Sequence, residues 1–156
     1  MELKFCVENG DILRSPYYND FFFEKIKICV KTEKYEKTKL FHSALHGRFL
    51  LNLGEAIIEL LKTGKEQTVK SIGEPHLYKI SLQSDEIIIK SIEKQEVIQK
   101  FNCSREDFLN ALAIESKHYL QSIKKVNPRI VLEDQYQLLA SCYVFFDSSP
   151  IFEFNS

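Results

Sequence analysis

The chain has 156 residues and a formal net charge of −1, and hydrophobic residues occupy 44% of its positions. This length predicts a single domain, residues 1–156, that can bury a core without help from disulfides or metals. The balanced charge excludes a basic field over the whole domain, and the apolar content excludes a disordered chain.

The first predicted element is a β-hairpin centred on Asn9 and Gly10. An Asn-Gly pair tolerates the positive φ angles that a type I′ turn requires at both central positions. Residues of alternating polarity flank the pair in MELKFCVENGDIL. We therefore expect two adjacent antiparallel strands at the start of the chain.

A further strand is predicted around residues 22–31, where an apolar set and a basic set of residues alternate. The apolar set is Phe22, Ile26, Ile28 and Val30, and the basic set is Lys25, Lys27 and Lys31. A period of two indicates a strand with one face in solvent.

These lysines belong to a basic and aromatic stretch, residues 16–40, that raises the question of nucleic-acid binding. Between Glu24 and Lys39 there are six lysines and three glutamates. The glutamates would repel phosphates, and lysines that alternate with apolar residues are typical of the solvent face or the edge of a sheet. We therefore favour a solvated strand face, and nucleic acid is not expected as a partner.

A change of period predicts an amphipathic helix in RFLLNLGEAIIELLKTGK, residues 48–65. Its apolar residues recur at three- and four-residue steps: Leu50, Leu53, Ile57, Leu60 and Leu61. Gly64 is typical of the residue that ends a helix in the left-handed conformation. Gly54, in the helix interior, is expected to let a strand pack closely.

From residue 66 to residue 102 the pattern again predicts short strands. The polar turns GEP, QSD and EKQ separate four segments, QTVKSI, HLYKISL, EIIIKSI and EVIQKF. Such spacing is typical of an antiparallel meander. Three consecutive isoleucines at positions 87–89 indicate a central strand that is covered on both faces.

Two helices are predicted towards the C-terminal end. In CSREDFLNALAIESKHYLQSIKKVNP, residues 103–128, Ser104 and Asp107 form a near capping box, with acids in the first turn and lysines in the last. Asn127 and Pro128 then begin a second helix, PRIVLEDQYQLLASCYVFF. The aromatic tail, residues 147–156, is expected to be loose or to form a short edge strand.

Together these elements predict an α+β fold. We expect an antiparallel sheet of five to seven strands, with two or three helices packed mainly on one of its faces. The sequence has no internal repeat, low-complexity tract or linker.

Cysteine usage and hydropathy indicate a cytoplasmic protein that does not enter a membrane. The four cysteines, Cys6, Cys29, Cys103 and Cys142, are far apart, so no CxxC motif is present and reduced, buried thiols are expected. The first residues lack the basic and apolar segments of a signal peptide. No apolar stretch approaches the ~20 residues that span a bilayer.

His42 and His46 are the candidates for metal binding, since an i, i+4 pair on a helix would place both rings on one face. A metal site needs a third ligand, however, and Gly47 makes this segment a poor helix. We therefore interpret both as ordinary histidines and predict no metal site and no cofactor.

Candidates for catalysis lack any supporting motif. A cysteine could be paired with His76 or His118 as an activated nucleophile, and Glu115 with His118 could act as an acid–base pair on one helix face. Buried thiols and an exposed i, i+3 contact explain the same residues. We predict no catalytic residue, although an active site assembled from distant residues remains an alternative.

The C-terminal end of the sequence is acidic and aromatic. Beyond Arg129 it contains no lysine or arginine, and its acids are Glu133, Asp134, Asp147 and Glu153. Its aromatic residues are Tyr136, Tyr143, Phe145, Phe146, Phe152 and Phe154. One interpretation is a set of core aromatics. The other is a protein-binding surface, in which aromatics anchor a partner and acids attract a basic one. Its candidate contacts are Glu133, Asp134 and Tyr136.

Four segments have the order found in one group of proteins: the early strands, GRFLLNLGEAIIELLKTGKE, the meander from Gln67 to Phe101, and SREDFLNALAIESKHYL. In this arrangement the chain resembles the small cytosolic immunity proteins of bacterial toxin systems, including contact-dependent growth inhibition. The resemblance implies a non-catalytic protein that binds one cognate toxin domain, such as a nuclease, and blocks its active site. It assigns no residue, because these families share an activity and not a site. The alternatives are a generic protein-binding or regulatory module and an uncharacterised enzyme.

Overall fold

The computed structural model describes residues 1–147, which contain seven β-strands and three α-helices. The strands are β1 (Glu2–Val7), β2 (Ile26–Lys31), β3 (Thr38–Ser43), β4 (Gln67–Lys70), β5 (His76–Gln83), β6 (Glu86–Glu93) and β7 (Glu96–Ser104). The helices are α1 (His46–Thr63), α2 (Arg105–Val126) and α3 (Asp134–Asp147). Short 3₁₀ helices occupy Gly10–Arg14, Tyr18–Phe23 and Pro128–Leu132. The rest of the predicted tail, residues 148–156, lies outside the described residues.

The strands form two antiparallel sheets, so the α+β class is confirmed but the prediction of a single sheet is wrong. Strands β1 to β3 form the N-terminal sheet, and strands β4 to β7 form the meander sheet, each in sequence order. The sheets meet at a seam made of residues 42–44 and 71–72. There the Ser71 hydroxyl donates to the His42 carbonyl at 2.7 Å, and the Ser43 hydroxyl accepts from the Ile72 N–H at 2.8 Å. Side-chain hydroxyls thus complete hydrogen bonds that a continuous ladder would otherwise make.

The predicted N-terminal hairpin is wrong, although its turn residue has the expected conformation. Asn9 is left-handed, with φ of 50°, but Gly10 then begins a 3₁₀ helix instead of a returning strand. Strand β1 pairs with β2, and the register runs from Glu2 opposite Lys31 to Val7 opposite Ile26. The intervening 3₁₀ helices bury apolar side chains in the core, which a tight hairpin would leave exposed.

The alternation in β2 is confirmed, since its isoleucines and valine are buried and its lysines are exposed. Phe22 is also buried, but it belongs to the preceding 3₁₀ helix. Strand β2 is the middle strand of the N-terminal sheet, so its lysines cover a sheet face and do not protect an edge.

Helix α1 ends at Gly64 as predicted, where the residue is left-handed and its N–H donates to the Leu60 carbonyl at 2.8 Å. The helix begins earlier than predicted, at His46, and Gly47 is part of it. A Cβ on Gly47 would lie 2.9 Å from atoms of both Phe22 and Gln135. Gly47 therefore costs helix propensity but allows close packing at the start of α1.

Gly54 also permits close packing, but against helix α3 and not against a strand as predicted. A Cβ at this position would lie 2.6 Å from Cys142 Sγ and 3.1 Å from the ring of Tyr143. The Tyr143 hydroxyl donates to the Leu50 carbonyl at 2.6 Å and so fixes α3 on α1.

The meander is confirmed: β4 to β7 lie in order, and each pairs antiparallel with the next. Residues Ile87, Ile88 and Ile89 are all buried in β6, which has a strand on both sides. This arrangement fits the prediction of a central strand covered on both faces.

Helix α2 is confirmed, and the Ser104 hydroxyl accepts from the Asp107 N–H at 3.1 Å at its start. The second C-terminal helix is confirmed only in part. Asn127 does cap the segment at Pro128, but that segment is a 3₁₀ helix that ends at Leu132. Glu133 is extended, and α3 begins after it. Ile130 is completely buried in the 3₁₀ helix that interrupts the predicted α-helix.

Both sheets and all three helices contribute to one cluster of buried apolar side chains. Within it lies a polar group, His46, whose side chain is fully buried at the start of α1. Its Nε2 is 2.7 Å from the Tyr119 hydroxyl of α2, and its Nδ1 is 3.1 Å from the Glu24 carbonyl. A neutral ring that donates from Nδ1 and accepts at Nε2 satisfies both contacts. Burial lowers the pKa of His46 to about 4.

We expect Gly54→Ala to destabilise the protein. The added methyl would overlap Cys142 Sγ, and overpacking typically costs about 1–3 kcal/mol, against roughly 1 kcal/mol gained in helix propensity. Urea unfolding measures the change in free energy. Gly10→Ala is the control, because no atom lies within 4 Å of its added Cβ. Equal stability of the two variants would contradict this packing.

We also expect acid to destabilise the fold through His46. The ordinary pKa of about 6.5 in the unfolded chain exceeds the folded value of about 4, so unfolded molecules take up the proton first as the pH falls. The stability that neutral His46 confers is complete above pH ~6.5 and is lost towards pH ~4, by about 3 kcal/mol. Urea unfolding across this window measures the loss. His46→Gln, which lacks the titrating group, should show a smaller decline, and equal declines would contradict the assignment.

Candidate functional site

The predicted binding residues lie where the third 3₁₀ helix meets α3. Glu133 is half-buried in the extended link, Asp134 is exposed at the first position of α3, and Tyr136 is half-buried two residues later. Tyr136 faces a groove of about 210 Å³ between α2 and α3, which it shares with Leu120 and Tyr143 among others. Tyr136 thus lines the groove between these helices, whereas the two acids are not among its lining residues.

A neighbour that the sequence did not indicate is Tyr18, from the second 3₁₀ helix. The side chain of Glu133 interacts with its hydroxyl, and this interaction is the main cause of the raised pKa of Tyr18. The nearby Arg129 opposes the shift with its positive charge. This contact joins two segments that are more than 100 residues apart in the chain.

Large exposed apolar side chains occur in the same two segments. Tyr17, Phe23 and Leu132 are 76%, 61% and 73% exposed, respectively. The Asp20 N–H donates to the Tyr17 carbonyl at 2.9 Å, so one 3₁₀ turn carries both an exposed ring and an exposed acid. We define the acidic apolar patch as Tyr17, Asp20, Phe23, Leu132, Glu133 and Asp134. Exposed apolar groups with a polar rim are typical of a protein-binding surface.

The acid–base pair considered from the sequence exists, in an extended form. In α2, Glu115 Oε1 is 3.1 Å from His118 Nδ1, and Ser122 Oγ is 3.5 Å from His118 Nε2. The other oxygen of Glu115 accepts from the Phe5 N–H at 2.8 Å and fixes β1 on the helix. The distance from Ser122 Oγ to His118 Nε2 is long for proton transfer. The backbone N–H groups around Ser122 already donate within α2, so they cannot stabilise an oxyanion. The contacts of Glu115, His118 and Ser122 are therefore better explained by packing than by catalysis.

The described cysteines are all free thiols. Burial is the main cause that raises the pKa of Cys103 to about 12 and that of Cys142 to about 11. Neither thiol is therefore an activated nucleophile at neutral pH, because the thiolate is the reactive form.

The two histidines that the sequence paired are separated by the fold. Both ring nitrogens of His46 are engaged in the core, whereas His42 lies in β3 near Glu74 and His76. Within residues 1–147, this is the one group of three potential metal ligands whose ligand atoms lie within 4.8 Å of one another. Sequence reasoning missed Glu74 altogether, since the three residues come from different strands and a turn and have no ligand motif.

The lysines of β2 share the outer face of the N-terminal sheet with lysines of the neighbouring strands. Lys4 and Lys39 lie on this face, since both pair with Cys29 across the strands. The phenylalanines of this sheet, Phe5 and Phe41, pack towards the core. The described part of this face therefore has positive charge without the aromatic platform on which unpaired bases stack.

No family model, curated protein or solved structure matches this chain. Among residues 1–147, no helix has both the length and the apolar character needed to cross a bilayer. Function is therefore inferred from the chemistry of the acidic apolar patch and of the histidine cluster, which consists of His42, Glu74 and His76.

We expect the lysine face to bind nucleic acid only weakly. Fluorescence anisotropy with labelled RNA and DNA at low salt should show weak association that physiological salt removes. Charge reversal of Lys25, Lys27 and Lys31 should change it no more than reversal of Lys62, Lys65 and Lys70, which are exposed elsewhere. Tight binding that only the first reversal abolishes would contradict this expectation.

Proposed function

We propose that this protein is a non-catalytic, cytoplasmic immunity protein that binds and neutralises a cognate bacterial toxin domain, such as a nuclease. The observation that carries the proposal is the acidic apolar patch, which combines exposed anchors with a charged rim. The sequence resemblance to immunity proteins supplies the finer part of the proposal, namely the toxin as partner. The patch itself supports the coarser part, a protein-binding domain.

The charge of the patch favours a basic partner. Asp20, Glu133 and Asp134 belong to the same segments as its apolar side chains, and Arg129 is a cation whose charge reaches Tyr18. Complementary charge accelerates the encounter of two proteins, while buried aromatic side chains slow their separation. A nuclease domain that binds an anionic substrate presents positive charge, so it fits this surface.

The apolar part of the patch would supply most of the affinity. Tyr17, Phe23 and Leu132 would lose their solvent exposure under a partner, and tyrosine is among the residues that most often dominate binding energy. Inhibition that persists in excess substrate requires a tight complex, with a Kd on the order of nM or below. Covering the toxin's active site then suffices, and no reaction by this protein is needed.

The first test is protection in cells. The toxin domain encoded beside this gene is expressed under inducible control, with or without this protein. We expect survival only with the protein, and no turnover in broad hydrolase, nuclease and transferase screens. Death at the same rate in both cultures, or the lack of a neighbouring toxin gene, would contradict the immunity function. Turnover lost on a single Glu115 or His118 substitution would support the enzyme alternative instead.

A second test addresses the surface. Glu133→Lys with Asp134→Lys should reduce the association rate with the toxin domain by about tenfold or more at low salt, because like charges then meet. Tyr17→Ala should mainly raise the dissociation rate. Surface plasmon resonance measures both rates.

The matched control for the charge reversal is Glu59→Lys with Glu66→Lys, which makes the same change in net charge. Glu59 is exposed and lies 12 residues along α1 from Gly47, about 18 Å from the end that borders the patch. If this control slows association as much as the patch variant, the interface is elsewhere. If neither variant changes the association rate but cells survive, the immunity function is retained and the toxin binds another surface.

A further inference from the structure

We propose that His42, Glu74 and His76 form a binding site for a transition-metal dication of the zinc type, which joins the two sheets across their seam. This inference is independent of the proposed function. It departs from the prediction of no metal site. That prediction considered the pair His42 and His46, because the sequence does not show which distant residues lie near His42 in the fold.

The distances are compatible with a metal after small side-chain rotations. The Nδ1 of His42 is 3.6 Å from Glu74 Oε2, and the rings of His42 and His76 are 4.7 Å apart between centroids. Bond lengths near 2.0–2.1 Å place two ligand atoms of tetrahedral zinc about 3.4 Å apart. All three ligand atoms already lie within 4.8 Å of one another, so the largest separation must contract by about 1.4 Å.

The surroundings of His76 indicate which of its nitrogens would bind the metal. Its Nε2 lies 3.4 Å from the carboxylate of Glu93, the residue opposite it in β6. This carboxylate favours a proton on Nε2 and leaves the lone pair on Nδ1. That Nδ1 is buried and has no hydrogen-bond partner. A carboxylate that orients a histidine from behind, with the other nitrogen free, is the usual arrangement around a bound metal.

The backbone at the seam holds the ligands in place. The N–H of His42 donates to the Tyr78 hydroxyl at 3.0 Å, and its carbonyl accepts from Ser71. Gly73, with φ of 79°, forms the turn that presents Glu74. His42 thus comes from the N-terminal sheet, His76 from β5 of the meander sheet and Glu74 from the turn between β4 and β5, so a shared ion would connect the two sheets.

Ligand type and local charge limit which ion can bind. Two imidazoles and a carboxylate suit zinc and neighbouring transition metals, whereas magnesium and calcium prefer oxygen ligands alone. Lys27, opposite His42 in β2, and Lys39 oppose a cation. The carboxylates of Glu74 and Glu93 offset them. A fourth coordination position would face the groove that His42 and Glu74 share with these lysines, which favours an anionic ligand there.

The test uses reduced, untagged protein and Zn²⁺, with Mg²⁺ and Ca²⁺ as comparisons. We expect calorimetry to show one Zn²⁺ per chain and no binding of the other two ions. Zn²⁺ should raise the melting temperature and slow amide exchange at Ala44 and Ile72, whose backbone groups join the sheets. Co²⁺ should give the visible spectrum of a tetrahedral site without a thiolate charge-transfer band.

Variants assign the binding to these residues. His42→Gln and Glu74→Gln should abolish one-to-one binding, and Glu93→Gln should weaken it about 10- to 100-fold. His118→Gln is the matched control, because His118 is 72% exposed on α2, outside the cluster. Circular dichroism without metal shows whether each variant folds. If the His42 variant does not fold, the Glu74 variant tests the site, because Glu74 lies in an exposed turn. Failure to bind Zn²⁺, a thiolate band, or equal loss in the control would overturn the site.

Discussion

The arrangement of the whole molecule depends on the satisfaction of one buried polar group, the imidazole of His46. A buried ring nitrogen without a hydrogen bond is costly, so α1 is stable in the core only where both nitrogens find partners. Those partners are the carbonyl of Glu24, before β2, and the hydroxyl of Tyr119, in α2. Leu45, left-handed with φ of 46°, turns the chain from β3 into α1 and donates to the Phe23 carbonyl. These bonds connect the N-terminal sheet, α1 and α2 in a single geometry.

The positions of both proposed sites depend on the hydrogen bonds around His46. The 3₁₀ helix that carries the exposed ring of Phe23 ends directly before Glu24, and α1 is the helix on which α3 packs. His42 lies four residues before His46, at the end of β3 that meets the meander sheet. A displacement of His46 would therefore affect both Phe23 of the patch and His42 of the cluster. Rigid support of this kind reduces the entropy that a surface loses when it binds a partner.

Charge is distributed unevenly although the total is close to zero. The outer face of the N-terminal sheet carries exposed lysines, whereas the acids of the patch lie at the start of α3 and in the second 3₁₀ helix. Such separation orients an approaching charged protein and raises the rate of correct encounters. The same lysines border the histidine cluster, where they would favour an anionic ligand on a bound ion. The two proposed sites thus differ in chemistry, since one is proposed for protein contact and the other for ion coordination.

The sequence by itself determined the elements whose signals are local. The meander, the start of α2 at Ser104 and the end of α1 at Gly64 were predictable, because period, caps and turns are properties of neighbouring residues. Tertiary structure alone decided which segments meet. Asn9 has the predicted conformation, yet β1 pairs with a strand beyond two 3₁₀ helices, because burial of their side chains outweighs a tight turn. Likewise Glu74 reaches His42 and Tyr18 reaches Glu133 only through the packing of distant segments, which no local pattern encodes.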